Sequence, residues 1–192
     1  MEIILSTNAL KGAIHCAAAK DRRYWLNGVH VRVTQEQFVY VESTDGSVAF
    51  QTRLEELADA ETKGPFGIII PLETVKLAVK TKQSKLLLKS LPDGRYSLGD
   101  VLFTAVDGKF PDVDRVVPTR GDEYYNGPLP VFDAELLLRA QKALQTAMST
   151  KNVFAMWPDS ANKSSVTAYL MAPMSQTFPR CVVCPCTRSK SA

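Results

Sequence analysis

Histidine and cysteine are scarce in this chain of 192 residues, with two His and four Cys. Neither His15 nor His30 has a carboxylate partner evident from the sequence, which leaves little for general-base or nucleophilic catalysis. The enzyme motifs that announce themselves by spacing are missing too: no G-x-x-x-x-G-K-[ST] loop, no G-x-G-x-x-G, no H-E-x-x-H and no G-x-S-x-G. A non-enzymatic protein is expected. Three of the four cysteines fall in one short stretch, Cys181, Cys184 and Cys186, which argues against a secreted disulfide scaffold. As a zinc site their C-x2-C-x-C spacing would need a fourth ligand such as Cys16 or His15, and no second cysteine pair is present, so neither metal nor cofactor is expected. No apolar run approaches the roughly 20 residues of a membrane span, and MEIILSTNAL lacks the basic start and apolar core of a signal peptide. The expectation is a cytoplasmic protein with no membrane partner. Charge of one sign is lacking as well: 23 Lys and Arg against 20 Asp and Glu give +3, too even for binding nucleic acid by bulk charge.

What is present is a repeated unit. The first copy opens with an apolar strand, Glu2 to Leu5, after which Ser6, Thr7 and Asn8 offer capping oxygens to a helix expected to reach about Lys20, with Leu10, Ile14 and Ala17 inward. YWLNGVHVRV, QFVYVES and SVAFQTRL follow as strands, punctuated by Asn27-Gly28 and Asp45-Gly46. The second copy runs from Phe66 through the strand GIII, a helix after Pro71 burying Leu72, Val75, Ala78 and Val79, and the strands KLLLKSL, GRYSLG and DVLFTAV. A third begins with the strand LPVF at Leu129, then a helix from Ala134 to about Met148 capped by Asp133, with Leu137, Ala140, Leu144 and Ala147 inward. Only two strands, NVFAMW and SVTAYLMA, are assigned after it.

These units predict an α+β fold of repeated strand-helix-strand elements, with helices packed on antiparallel sheets. A two-unit domain is expected over residues 1–118, a linker at 119–128, a third half-domain unit at 129–174 and an aperiodic tail at 175–192.

Several segments resemble the bacterial β sliding clamp, the processivity subunit of the replicative DNA polymerase. RRYWLNGV, ending at Val29, is similar to the clamp's RYYLNG; STDGSVA, Ser43 to Ala49, to its ATDGHRLA; and DGKFPDVDRVVP, Asp107 to Pro118, to its DGRFPDYRRVLP. FDAELLLRAQKAL with AYLMAPM, Ala168 to Met174, is matched to the end of the clamp, which closes in a YVVMPM-type strand. The resemblance implies a DNA-clamp fold matching the clamp's middle domain plus the last half of its C-terminal domain.

It also implies a groove that takes short peptide motifs of polymerase, clamp-loader or repair proteins in apolar pockets. Carried over residue by residue, the groove comprises Leu26, Thr44, Gly46, Ser47, Ala49, Pro111, Arg115, Val116, Leu170, Ala172 and Met174. Ser47, Ala49 and Ala172 stand where clamps often have His, Leu and Met, which implies a wider or shallower pocket. Contact with duplex DNA without sequence preference is expected from Lys11, Lys20, Arg22, Arg23, Lys76, Lys80, Arg139 and Lys142, since cations on helix faces meet phosphates irrespective of the bases. Homo-oligomerisation is expected of a processivity or scaffold protein that surrounds or contacts the duplex, and the alternative is a non-ring monomeric or dimeric binding module that competes with or modulates a full clamp.

Overall fold

The computed structural model describes residues 1–57, 65–117, 131–149, 155–158, 168–171 and 179–185, with backbone alone for 55–57, 155–158 and 168–171. The first unit comprises β1 (Glu2–Ser6), α1 (Thr7–Ile14), β2 (Gly28–Val33), β3 (Phe38–Thr44) and β4 (Val48–Leu57). The second has β5 (Phe66–Pro71), α2 (Leu72–Ala78), β6 (Lys85–Ser90), β7 (Tyr96–Leu98) and β8 (Val101–Phe103). The third has α3 (Ala134–Met148), β9 (Ala155–Pro158), β10 (Ala168–Met171) and β11 (Arg180–Val183).

Local chemistry explains the elements. In β2, Val29, Val31 and Val33 are fully buried while His30 and Arg32 point to the other face, the period of two that a half-covered strand needs. The Ser6 hydroxyl accepts from the Ala9 amide to start α1, and the Asp133 carboxylate accepts from the Glu135 amide to start α3. Ser149, in the left-handed region at φ 52°, ends α3.

The first two units are interlocked. β1 leaves its own unit to pair with β6, and β5 leaves its own to pair with β2, both antiparallel. One sheet runs β1-β6-β7-β8; the other runs β5-β2-β3-β4-β11-β10-β9 and joins the first and third units through β4 and β11. Helices cover one face of this framework, with α3 against α1, β4 and β11. Gly12 allows that approach: a Cβ there would sit 2.8 Å from the Ala143 carbonyl oxygen and 3.0 Å from the Ala147 Cβ. Among the described residues no helix is long and apolar enough to cross a membrane.

Four expectations need correction. α1 stops at Ile14, because Ala17 and Ala18 leave the helix to pack inside and the Ala18 amide donates to the Leu26 carbonyl. α2 ends at Ala78, so Lys80 lies beyond it. Residues 131 and 132, the described part of the expected LPVF strand, are in no strand, and none of the described strands pairs with them. The tail, expected to be aperiodic, supplies β11, in which Cys181 and Val183 are fully buried on the helix side of the sheet.

Candidate functional site

The outer face of the seven-stranded sheet, opposite the helices, would leave His30, Arg32, Glu42 and Gln51 in water. Residues 104–117 lie across it instead, as a strap. Phe110 stacks on His30 at 4.7 Å between ring centroids, and Phe110 and Val113 join Leu26, Ala49, Ile69 and Val182 in a second apolar cluster. Asp114 fastens the strap, accepting from Arg32, Gln51 and Arg180, each at 2.9 Å.

Beneath the strap Glu42 is buried and accepts from His30 Nδ1 (2.8 Å), Arg32 (2.8 Å) and Gln51 (2.7 Å). Burial alone would raise the pKa of its carboxyl; the hydrogen bonds from His30, Arg32 and Gln51 outweigh burial and hold it at about 2. His30 thus has a carboxylate partner that sequence alone did not reveal.

Beside the strap lies a cavity of about 260 Å³. Leu26, Ala49, Val113 and Val182 supply apolar lining. The Asp45-Gly46 turn contributes Thr44, Gly46 and Ser47, and the strap contributes Pro111, Asp112 and Val116. The turn is tightly specified: Asp45 Oδ1 accepts from the Ser47 and Val48 amides, and Gly46 takes φ 96° with the Arg23 guanidinium 3.0 Å from where a Cβ would stand. Arg23 reaches it by pairing with Asp21 and donating to the Asp45 carbonyl.

Seven of the eleven expected groove residues line this one cavity: Leu26, Thr44, Gly46, Ser47, Ala49, Pro111 and Val116. Arg115 does not; its exposed side chain pairs with Asp112 at 3.3 Å. Leu170 lies one strand further out, paired with Cys181 across β10 and β11, and Ala172 and Met174 lie outside the described residues.

The missing wall comes from β11, where Val182 sits opposite Ala49 and Cys184 donates its amide to the Ser47 carbonyl. Both line the cavity. Two signals pointed there: CVVCPC shares V-V-x-P with YVVMPM, and the first two units each carry three strands after the helix, so the third was one strand short. Burial raises the Cys184 thiol pKa, and the Asp45 carboxylate raises it further.

The expected DNA-contacting cations are divided. Arg139 on α3 is spent inside the protein, pairing with Asp45 and donating to the His15 carbonyl at the end of α1. Lys76 pairs with Glu73, and Arg23 belongs to the groove rim. Lys20, Arg22, Lys80 and Lys142 are exposed, and Lys11 is half-buried on α1. Burial, then Lys142 and Arg139, lower the pKa of His15 where α1 meets α3. Below it an open cavity of about 680 Å³ is lined by Lys20 and Arg139 but also by Asp21, Asp45 and Glu135, which offset them. No cluster of three metal-ligating side chains occurs among the described residues.

Over 116 residues the chain is 32% identical to the "Beta sliding clamp" of Pseudomonas putida, an alignment that takes in 57% of this chain and 31% of that protein. The DNA polymerase III subunit beta of Pseudomonas aeruginosa superposes with a TM-score of 0.72 at 16% identity, over 97% of this chain and 66% of that one. This chain has the sliding-clamp fold. The H. pylori beta clamp, solved with diflunisal, gives a TM-score of 0.73 at 14% identity over 97% of this chain and 66% of its own, and the Thermotoga maritima beta subunit 0.70 at 13% over 98% and 66%. No family model matches. The sequence match to the P. putida protein thus spans under a third of that clamp's length, and the structural matches span about two thirds of theirs.

Proposed function

We propose that this protein is a non-enzymatic, clamp-type accessory factor of DNA replication or repair that docks short peptide segments of polymerase, clamp-loader or repair proteins. The observation that carries this is the 260 Å³ apolar cavity, assembled from the segment before β2, the β3–β4 hairpin, the strap and β11, that is, from residues 23–49, 111–116 and 182–184. Sequence segments so distant converge on an open pocket rather than filling it, and an apolar pocket with a polar rim suits one or two buried anchor side chains of a peptide. With Ala49 and Val182 as its floor, the pocket favours bulky anchors such as Leu or Phe.

Duplex DNA is the second partner, met without sequence preference by Lys11, Lys20, Arg22, Lys80 and Lys142. With Arg139, Lys76 and Arg23 engaged elsewhere, these contacts are few, so binding is weak and steeply salt-dependent. Such a protein depends on assembly around DNA rather than on affinity.

Fluorescence anisotropy with a labelled peptide bearing adjacent Leu and Phe anchors tests the groove. Saturable binding to the native chain, abolished by Leu26→Asp in a protein that still melts cooperatively, is the expected result. No binding, or binding indifferent to Leu26→Asp, would remove the groove as the functional site.

A further inference from the structure

The first two units complete each other by a rule visible in their pairing. Each opening strand crosses to the other unit and lies along the first strand after that unit's helix: β1 on β6, β5 on β2. In both cases the helix-capping residue stands opposite the first residue of the receiving strand, Ser6 opposite Lys85 and Pro71 opposite Gly28.

The third unit holds both halves of this device, unused. Its first strand after the helix, β9, ends the seven-stranded sheet, and among the described residues nothing lies on its outer edge. Val131, Phe132 and Asp133 lead straight into α3, with Asp133 capping it as Ser6 caps α1, yet they pair with none of the described strands. In the first two units the opening segment serves the neighbouring unit and not its own, and the described residues hold no fourth unit. β9 reads Ala-Met-Trp-Pro, without the charge that commonly protects an open edge, and Val131 is 46% exposed.

We propose that two copies of this chain join through their third units, each laying residues 131–133 antiparallel along β9 of the other. A second copy is the occupant that supplies donor and acceptor together, and a two-fold axis makes the exchange reciprocal. The register follows from the first two units: Asp133 faces Ala155 of the partner subunit, Phe132 faces Met156 of the partner subunit, and Val131 faces Trp157 of the partner subunit. Within the chain α1 touches α2 across the corresponding axis; the counterpart contact places α3 beside its partner, where Leu138, 48% exposed, is available. The pair then holds six units arranged as three two-unit domains, with the open β8 edge at each end.

The test is the solution mass of the full chain by light scattering after size exclusion, over a concentration series, for the native protein, Val131→Pro and Val131→Thr. Proline removes the amide that a paired strand donates, whereas threonine keeps strand propensity. The native chain and Val131→Thr are expected at an even number of copies, and Val131→Pro at half that mass with an unchanged far-ultraviolet spectrum. Should Val131→Pro fail to fold, hydrogen exchange of the native protein decides instead, with amides 155–158 protected when associated and released on dilution. A single-chain mass at the highest soluble concentration, an even mass that folded Val131→Pro leaves intact, or β9 protection that does not change with concentration would overturn the proposal. So would a chain that stays single until a full-length clamp is added. Loss of peptide binding leaves these readouts untouched, so the groove and the pairing stand or fall separately.

Discussion

The body formed by the first two units and the third unit attached to it are held by different means. In the body, two strands change places, so neither unit keeps a complete sheet without the other. Among the described residues the third unit is attached through the β4–β11 pairing, the helix contact at Gly12, the Arg139 bridge from α3 to Asp45 and His15, and Arg180 of β11 on Gln51 and Asp114. The difference teaches where the candidate groove forms. The exchanged strands build a platform, while the cavity lies at the joint between the platform and the added unit, with Ala49 from one and Val182 from the other.

The most damaging way to break that contrast is to wedge the joint. Gly12→Val drives side-chain atoms into the Ala143 carbonyl and the Ala147 and Phe50 side chains, contacts already at 2.8 to 3.2 Å for a bare Cβ. A loss of about 3 kcal/mol in urea unfolding is expected, with hydrogen exchange rising first in α3 and β11. A uniform rise through β2 and β3 would instead show the three units to be one cooperative block.

Acid should come next. Glu42 has its carboxyl held at about 2, so the unfolded chain binds more protons as the pH falls and native stability drops. Its contribution is complete above the ordinary glutamate range and is lost as the pH falls from about 4.5 toward 2, amounting to about 3 kcal/mol. Thermal melts from pH 6 to pH 2 should show this slope, and Glu42→Gln should flatten it. Because Gln51 and Asp114 tie this network to Arg180 on β11, the same acid range should loosen the groove.

Arg139→Ala is expected to cost about 1 to 2 kcal/mol, because it removes a partly buried ion pair with Asp45 and leaves the His15 carbonyl without its donor. Peptide affinity should fall more than stability does, because Asp45 shapes the turn that lines the groove. The smallest effect expected is on DNA: replacing both Lys80 and Lys142 by Ala should reduce the magnitude of the salt slope of duplex binding by about 2, with no change in peptide affinity.

Much of the platform was legible because local signals agreed. Ser6 and Asp133 cap helices where capping chemistry placed them, Val75, Ala140 and Leu144 are buried as their spacing required, and the valines of β2 alternate as a half-covered strand must. Leu26, Gly46, Ala49 and Pro111, which line one cavity, were brought together on paper by the distinctive motifs they sit in. β11 was missed for a physical reason: AYLMAPM and CVVCPC are both short apolar runs ahead of a proline, and periodicity cannot separate two such runs. What separates them is partnership, since Cys181 and Val183 bury against α3 and its surroundings and Val182 faces Ala49. Arg139 was misread in the same way. A cation opposite an apolar stripe reads as solvent-facing until Asp45, 94 residues away, is brought beside it.

That β11 rather than the 168–174 segment completes the groove is the central claim, and comparing two variants tests it. Peptide affinity would be measured by anisotropy for Val182→Arg and for Met174→Arg, each checked for an unchanged melting profile. Binding lost in Val182→Arg and kept in Met174→Arg is the predicted result. Binding kept in Val182→Arg and lost in Met174→Arg would return the wall of the groove to the earlier segment and contradict the assignment.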